Sequence, residues 1–230
     1  MESQSIGIIL PTLNEELNVG KVIQEIPKHY LEEQGYKVDI VVVDGLSTDR
    51  TREVAQEKGA TLIVVQSRRG KGNQLRTALT QVNSDYIFIL DADYTYPADR
   101  IPDMLQILKQ GCDVVTGSRL KGRREKGAIS RLNLFGNAFL TTLANVLYPV
   151  KMTDLCTGFW GIKGNVIRSL NLSASGFEFE ADLFANLSKN GYTIAEIPID
   201  YRRREDKSRL KLIRDGLKIG WTLVSRRFSR

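Results

Sequence analysis

The stretch "DYIFILDAD", residues 85–93, decides the fold. Its apolar run has no polar interruption, the pattern of a strand covered on both faces. The run ends on two aspartates, Asp91 and Asp93, one residue apart. In extended chain, residues i and i+2 share a face, and two carboxylates that close repel unless a cation joins them. Magnesium and manganese take oxygen ligands, often one or two carboxylates plus substrate phosphates. The spacing therefore points to a metal–diphosphate site at the mouth of a strand. An aspartate capping the next helix is the plainer reading of an isolated Asp-X-Asp.

Working outward from this strand, the same alternation recurs on both sides. Upstream, "SIGIILPT" (5–12), "VDIVVVDG" (38–45) and "ATLIVVQS" (60–67) read as strands. Between them, 14–35, 47–59 and 72–83 show helical spacing, and Ser47, Thr48 and Asp49 offer cap acceptors. Downstream, 98–111 reads as a helix and "CDVVTGSR" (112–119) as a strand. Strands alternating with helices predict an α/β fold: a mostly parallel, Rossmann-like central sheet with helices on both faces. Ligands in such sheets bind beyond the carboxyl ends of the strands. Pro11, Asp44, Arg68 and Asp91 are thus expected around one crevice.

Past Arg119 the pattern changes. Residues 121–133 are basic and read as a loop, and 134–149 as a helix with a broad apolar face. Residues 157–170 carry closely spaced glycines and aromatic residues. A helix with an acidic start (176–191) and a strand (192–204) follow. The last segment, 209–228, spaces Leu210, Ile213, Leu217, Trp221, Val224 and Phe228 three or four apart among Lys and Arg, the pattern of a basic amphipathic helix.

The net charge of +6 is concentrated at this end: residues 201–230 hold 11 Lys/Arg against 3 Asp/Glu, a balance of +8. Such a patch suits phosphates, nucleic acid or an anionic membrane face. The single histidine, His29, argues against a histidine-rich zinc site or a Ser-His-Asp triad. Cys112 and Cys156 form no paired motif, so a reducing, cytosolic setting is expected. The N-terminal residues lack the basic start of a signal segment, and no run approaches the ~18 apolar residues of a membrane span.

In "SRRGKGNQLRTAL" (67–79), Gly70 and Gly72 flank Lys71 before a helix. Free amides there could hold a phosphate, or the segment is a plain turn. It is not a Walker loop, and no Gly-X-Gly-X-X-Gly follows the first strand, which disfavours a nicotinamide enzyme.

In order along the chain stand "PTLNE" (11–15), "VVVDGLSTDRT" (41–51), "GKGNQLRTAL" (70–79), "LDADYTYP" (90–97), "GSR" (117–119), "TGFWGI" (157–162) and "IPIDYRRREDKSR" (197–209). This set resembles the family-two glycosyltransferases of GT-A fold, most of all the polyprenyl-phosphate glycosyltransferase branch that includes dolichol-phosphate mannose synthases. The resemblance covers nearly the whole chain. It implies one catalytic domain over 1–230, with a nucleotide-sugar half (1–119), an acceptor half (120–209) and a C-terminal helix (210–230).

The implied chemistry is inverting transfer of a sugar from GDP-mannose, UDP-glucose or UDP-GlcNAc to a polyprenyl (dolichyl) phosphate. Asp91, Asp93 and Thr95 are the implied ligands of Mg²⁺ or Mn²⁺. Pro11, Leu13, Glu15, Asp44, Lys71, Asp91, Ala92, Asp93, Arg203 and Arg209 are implied to bind the nucleotide sugar. Arg119, Arg131 and Ser208 are implied to hold the acceptor phosphate, and Asp91, Asp93, Arg119 and Arg203 to carry catalysis. The sequence departs from the family at Leu13, where a tyrosine is commoner, and at Gly45, where a second carboxylate is usual. It also departs at Thr95 and at Arg209, which stands for a lysine.

A phosphate acceptor is already ionised and needs little base help. A saccharide hydroxyl acceptor, the alternative, would need a base, with Asp154, Glu178, Glu180 and Asp182 as candidates. The lipid acceptor implies a peripheral enzyme on the cytosolic face of a membrane, docked by helices 132–147 and 209–228 or held by an anchoring subunit; the bland alternative is that both apolar stripes pack on the sheet. A sugar-phosphate nucleotidyltransferase would show a glycine-rich N-terminal loop that is missing. A nucleic-acid-binding module explains the basic tail but not the carboxylate pair.

Overall fold

A computed structural model describes residues 3–204 and 211–229. Ser208, Arg209 and Leu210 lie outside the described residues. The β-branched and aromatic runs become β1 (Ser5–Thr12), β2 (Lys37–Asp44), β3 (Leu62–Val65), β4 (Tyr86–Leu90), β5 (Val114–Ser118), β6 (Phe159–Lys163) and β7 (Ile194–Pro198). They join in one sheet of order β3-β2-β1-β4-β6-β5-β7. Neighbours pair in parallel except β6, which runs antiparallel between β4 and β5. The mostly parallel α/β expectation holds. The antiparallel strand is new, because a five-residue strand starting among glycines leaves no readable period.

Helices cover both faces: α1 (Val19–Glu25), α2 (Lys28–Glu33), α3 (Thr51–Glu57), α4 (Lys71–Gln81), α5 (Ile101–Lys109), α6 (Arg131–Leu147), α7 (Gly164–Arg168), α8 (Phe179–Lys189) and α9 (Leu212–Phe228). The helix expected over 14–35 is two. Pro27 disfavours the helical conformation for the residue before it, and Ile26 is extended, with ψ of 122°. Of the three cap residues foreseen for α3, Asp49 does the work: its Oδ1 accepts from the Thr51 amide at 3.1 Å. The basic loop ends earlier than expected, at Ser130, whose Oγ accepts from the Asn133 amide and starts α6.

Alternate residues of the central strands feed two cores. Ile6, Ile8, Leu10, Val42, Phe88 and Leu90 pack on the α1 and α5 side. Ile9, Val41, Val43, Ile87 and Ile89 pack on the side of α4, α6 and α8. The chain winds β1 to β3 outward one way and returns with β4 on the other side of β1. The β1–β4 boundary is therefore the topological switch point, where the crevice of such a sheet opens. Register sets what stands there: Thr12 pairs with Asp44, and Asp91 follows directly on β4.

Candidate active site

Asp91 and Asp93 do meet in one cavity, but not through strand alternation. β4 stops at Leu90, and the chain bends through Tyr94, whose φ of 60° is left-handed. Asp91 sits against β6: its amide donates to the Gly158 carbonyl at 3.3 Å. A Cβ on residue 158 would stand 2.2 Å from Asp91 Oδ2, so only glycine leaves room for that carboxylate. Asp93 Oδ1 accepts from the amide and hydroxyl of the fully buried Thr95 at 3.2 and 2.6 Å. Thr95 thus orients Asp93.

Each aspartate has a cation. Lys71 Nζ lies 2.5 Å from Asp91 Oδ1 and 2.6 Å from Glu180 Oε1. Arg204 bridges Asp93 Oδ2 at 3.0 Å and Glu15 Oε1 at 2.6 Å. Burial, and then the charge of Asp91, raise the Asp93 carboxyl above its ordinary range. Burial likewise raises Glu180 against the opposing pull of Lys71. Burial alone would lower the Lys71 ammonium, but Asp91 and Glu180 raise it.

Lys71 reaches this place because α4 starts against residues 174–176. The amides of Gly72 and Asn73 donate to the Gly176 and Ser175 carbonyls at 3.2 and 3.1 Å. Gly70, at φ of 124°, lies so close that a Cβ would meet the Ser175 carbonyl at 2.2 Å. The start of α4 is therefore spent on backbone, which corrects the phosphate-cradle reading of its amides.

Arg119 is held in place by Asp154. Its Nε and Nη2 each donate to that carboxylate at 2.7 Å, and its backbone amide donates at 3.0 Å. Asn137 Nδ2 donates to the same carboxylate at 2.7 Å. The guanidinium also lies over the Tyr201 ring, 5.3 Å from its centroid. An arginine fixed this way meets a phosphate with little entropy left to lose. Although burial acts to raise Asp154, Arg119 holds its carboxyl below the ordinary range.

The carboxylate pair, Lys71, Arg119 and Glu180 line one end of a cavity of about 930 Å³. Its other end runs between α6 and α9, past Phe135, Phe139, Leu217 and Trp221. These four side chains are 72, 63, 71 and 71% exposed. Among the described side chains of α9 the buried ones are Ile219 and Leu223; of the expected stripe, Ile213, Leu217, Trp221 and Phe228 face outward and Val224 is half-buried.

The remaining expected residues divide. Asp44 is fully buried at the end of β2; its Oδ2 accepts from the Ser47 amide at 3.0 Å, and its Oδ1 has no partner. A buried acceptor without a donor is what a ligand N–H would satisfy. Pro11 and Leu13 are half-buried beside it, Ala92 is buried, and Glu15 ties this end to Asp93 through Arg204. Arg203, expected to bind the nucleotide sugar and carry catalysis, is exposed and lines the cavity, and its amide donates to Glu125; the arginine that pairs with Asp93 is Arg204. Arg131 is exposed at the start of α6 and does not line the cavity. Arg68 lies in a separate depression with Arg76 and Arg168.

All four candidate bases are engaged, Glu180 with Lys71. Asp154 is locked to Arg119, Glu178 accepts from the Ser175 and Gly176 amides, and Asp182 pairs with Arg226. Glu180 alone of the four lines the cavity. Burial pushes the Cys156 thiol up to about 12, so it is no nucleophile at neutral pH.

A doubly wound sheet with paired carboxylates just beyond a central strand is the architecture of the GT-A glycosyltransferases. The chain belongs to glycosyl transferase family 2, which matches residues 7–170. It is 30% identical over 221 residues to a dolichyl-phosphate hexose transferase of Haloferax volcanii, covering 95% of this chain and 92% of that one. It is 32% identical over 214 residues to the low-salt glycan biosynthesis hexosyltransferase Agl6 of the same organism. That match covers 92% of this chain but only 51% of Agl6, so the chain spans about half the length of that relative. The glucosyl-3-phosphoglycerate synthase of Mycobacterium tuberculosis, solved with Mn²⁺ and uridine-diphosphate-glucose, shares the fold: TM-score 0.77, 24% identity, 97% of this chain and 79% of that one.

Proposed function

We propose that this glycosyltransferase moves a hexose from a nucleotide sugar to the phosphate of a polyprenyl lipid, inverting the anomeric carbon. The observation that carries the reading is the single cavity: carboxylates and a fixed arginine at one end, an open apolar groove at the other. A lipid phosphate has that same polarity. The name of the Haloferax hexose transferase supports the same acceptor class.

Asp91 and Asp93 would hold a divalent cation. Two carboxylates with room for phosphate oxygens suit Mg²⁺ or Mn²⁺. When bound, such an ion offsets the charge of the leaving diphosphate. Asp44 accepts an N–H of the nucleobase. Arg119 orients the acceptor phosphate, whose oxygen is the nucleophile without a base. Among the described residues no helix is long and apolar enough to cross a membrane. The outward apolar residues of α6 and α9 instead lie on the cytosolic surface of one, α9 with the basic polar side that such helices use, with or without an anchoring subunit.

The test is nucleotide release by purified protein across GDP- and UDP-sugars, with Mg²⁺ or Mn²⁺ and a short polyprenyl phosphate. Release that requires both metal and lipid phosphate supports the proposal. Release with a saccharide acceptor and no response to lipid phosphate moves the acceptor to a hydroxyl, with Glu180 as the base the cavity offers.

A further inference from the structure

The carboxylate pair does not wait uncompensated. The contacts run Glu180–Lys71–Asp91 on one side and Asp93–Arg204–Glu15 on the other. Asp91 and Asp93 thus each share a cation with a second carboxylate, Glu180 and Glu15. The Lys71 and Glu180 side chains are only 12 and 10% exposed, so a charge displaced here finds little water. A metal ion on Asp91 would stand within a few ångström of the Lys71 ammonium, and the two positive charges repel at that range. Lys71 has a second carboxylate already in reach, on a flexible four-carbon stem.

We infer that Lys71 is a resident counterion of Asp91 that retires onto Glu180 when a divalent cation joins the pair, so that Glu180 sets how readily the site takes its metal. Without Glu180, displacement would strand a desolvated ammonium. With it, displacement costs one ion pair and leaves the other. Lys71 and Glu180 are positioning residues in this role, acting through Asp91. The inference rests on the reading of Asp91 and Asp93 as the metal-binding pair.

The experiment is a Mn²⁺ titration of the substrate-free protein, following free Mn²⁺ by electron paramagnetic resonance. Lys71→Met removes the competitor and is expected to tighten Mn²⁺ binding about tenfold. Glu180→Gln, nearly isosteric, leaves Lys71 no alternative and is expected to weaken binding by about the same factor. In the double variant the effect of Glu180→Gln is expected to be largely lost, since there is no lysine to receive. Unchanged or weaker binding by Lys71→Met overturns the inference, and Lys71→Gln checks the sign if the methionine variant fails to fold. Equal weakening by Glu180→Gln in both backgrounds also overturns it and makes Glu180 a direct ligand. Asp93→Asn separates the two failures. If it binds Mn²⁺ like the wild type, the metal-pair reading is wrong. If it abolishes binding while Lys71→Met changes nothing, only the counterion role is wrong.

Discussion

At the scale of single residues, the site depends on what is absent as much as on what is charged. Gly158 leaves the space that Asp91 fills. Gly158→Ala is expected to lower kcat/KM about a hundredfold, the scale of a misplacement near 1 Å, with the thermal midpoint little changed; steady-state kinetics and a melt test this. Asp154 is the opposite case, a buried charge whose value lies in its partner. Asp154→Asn leaves Arg119 buried and half-paired, and is expected to cost ~3–5 kcal/mol in denaturant unfolding. Because the Asp154 carboxyl is held low, its stabilisation is complete above the ordinary carboxylate range near pH ~4. It fades as pH falls through the lowered native value. The asparagine variant should therefore show a flatter acid limb of stability. The sequence made Asp91, Asp93, Asp44 and Arg119 legible, because strand ends are readable and charge there is unusual. It could not tell Arg203 from Arg204: three arginines in a row carry no register of their own. Nor could it place Glu180 against Lys71, which are 109 positions apart and meet only through the packing of α4 on residues 174–176.

At the scale of elements, α6 and α9 show how a period can be read correctly and its direction missed. The apolar spacing of the last segment is real, but Ile219 and Leu223, not the counted stripe, pack inward. Spacing identifies a face without saying what covers it. The basic end of α9 is likewise not all surface charge: Arg226 pairs with the buried Asp182 at 2.6 Å, and Lys189 donates to the Arg226 and Ser229 carbonyls at the helix terminus. Removing the residues from 226 onward would therefore disturb α8 as well as any membrane contact. Trp221→Ala and Phe139→Ala are cleaner probes, because both side chains are exposed. They are expected to leave folding stability within about 0.5 kcal/mol. Each should raise KM for a long polyprenyl phosphate roughly tenfold while sparing nucleotide-sugar affinity. A tryptophan variant with unchanged KM for long and short lipids would remove the groove from acceptor binding.

At the scale of the whole molecule, the alternation of strands and helices made the doubly wound half legible, while the antiparallel β6 was not, being short and glycine-flanked. That strand joins parts distant in the chain. β5 belongs to the first 119 residues yet touches β4 only through β6, which arrives 40 residues later. A fragment of residues 1–119 would expose β4 as an unpaired edge and leave β5 without its inner neighbour. It is expected to aggregate when expressed alone and to recover native circular dichroism only when residues 120–230 are supplied in trans. The consequence reaches beyond folding. The proposed donor and acceptor halves are not exchangeable cassettes. A chimera spliced near residue 119 would inherit a broken sheet from both parents, and a breakpoint after β6 would carry the loop bearing Asp154 and Gly158 along with the donor. New acceptor specificities on this scaffold are therefore more accessible by rewriting the faces of α6 and α9 than by swapping halves.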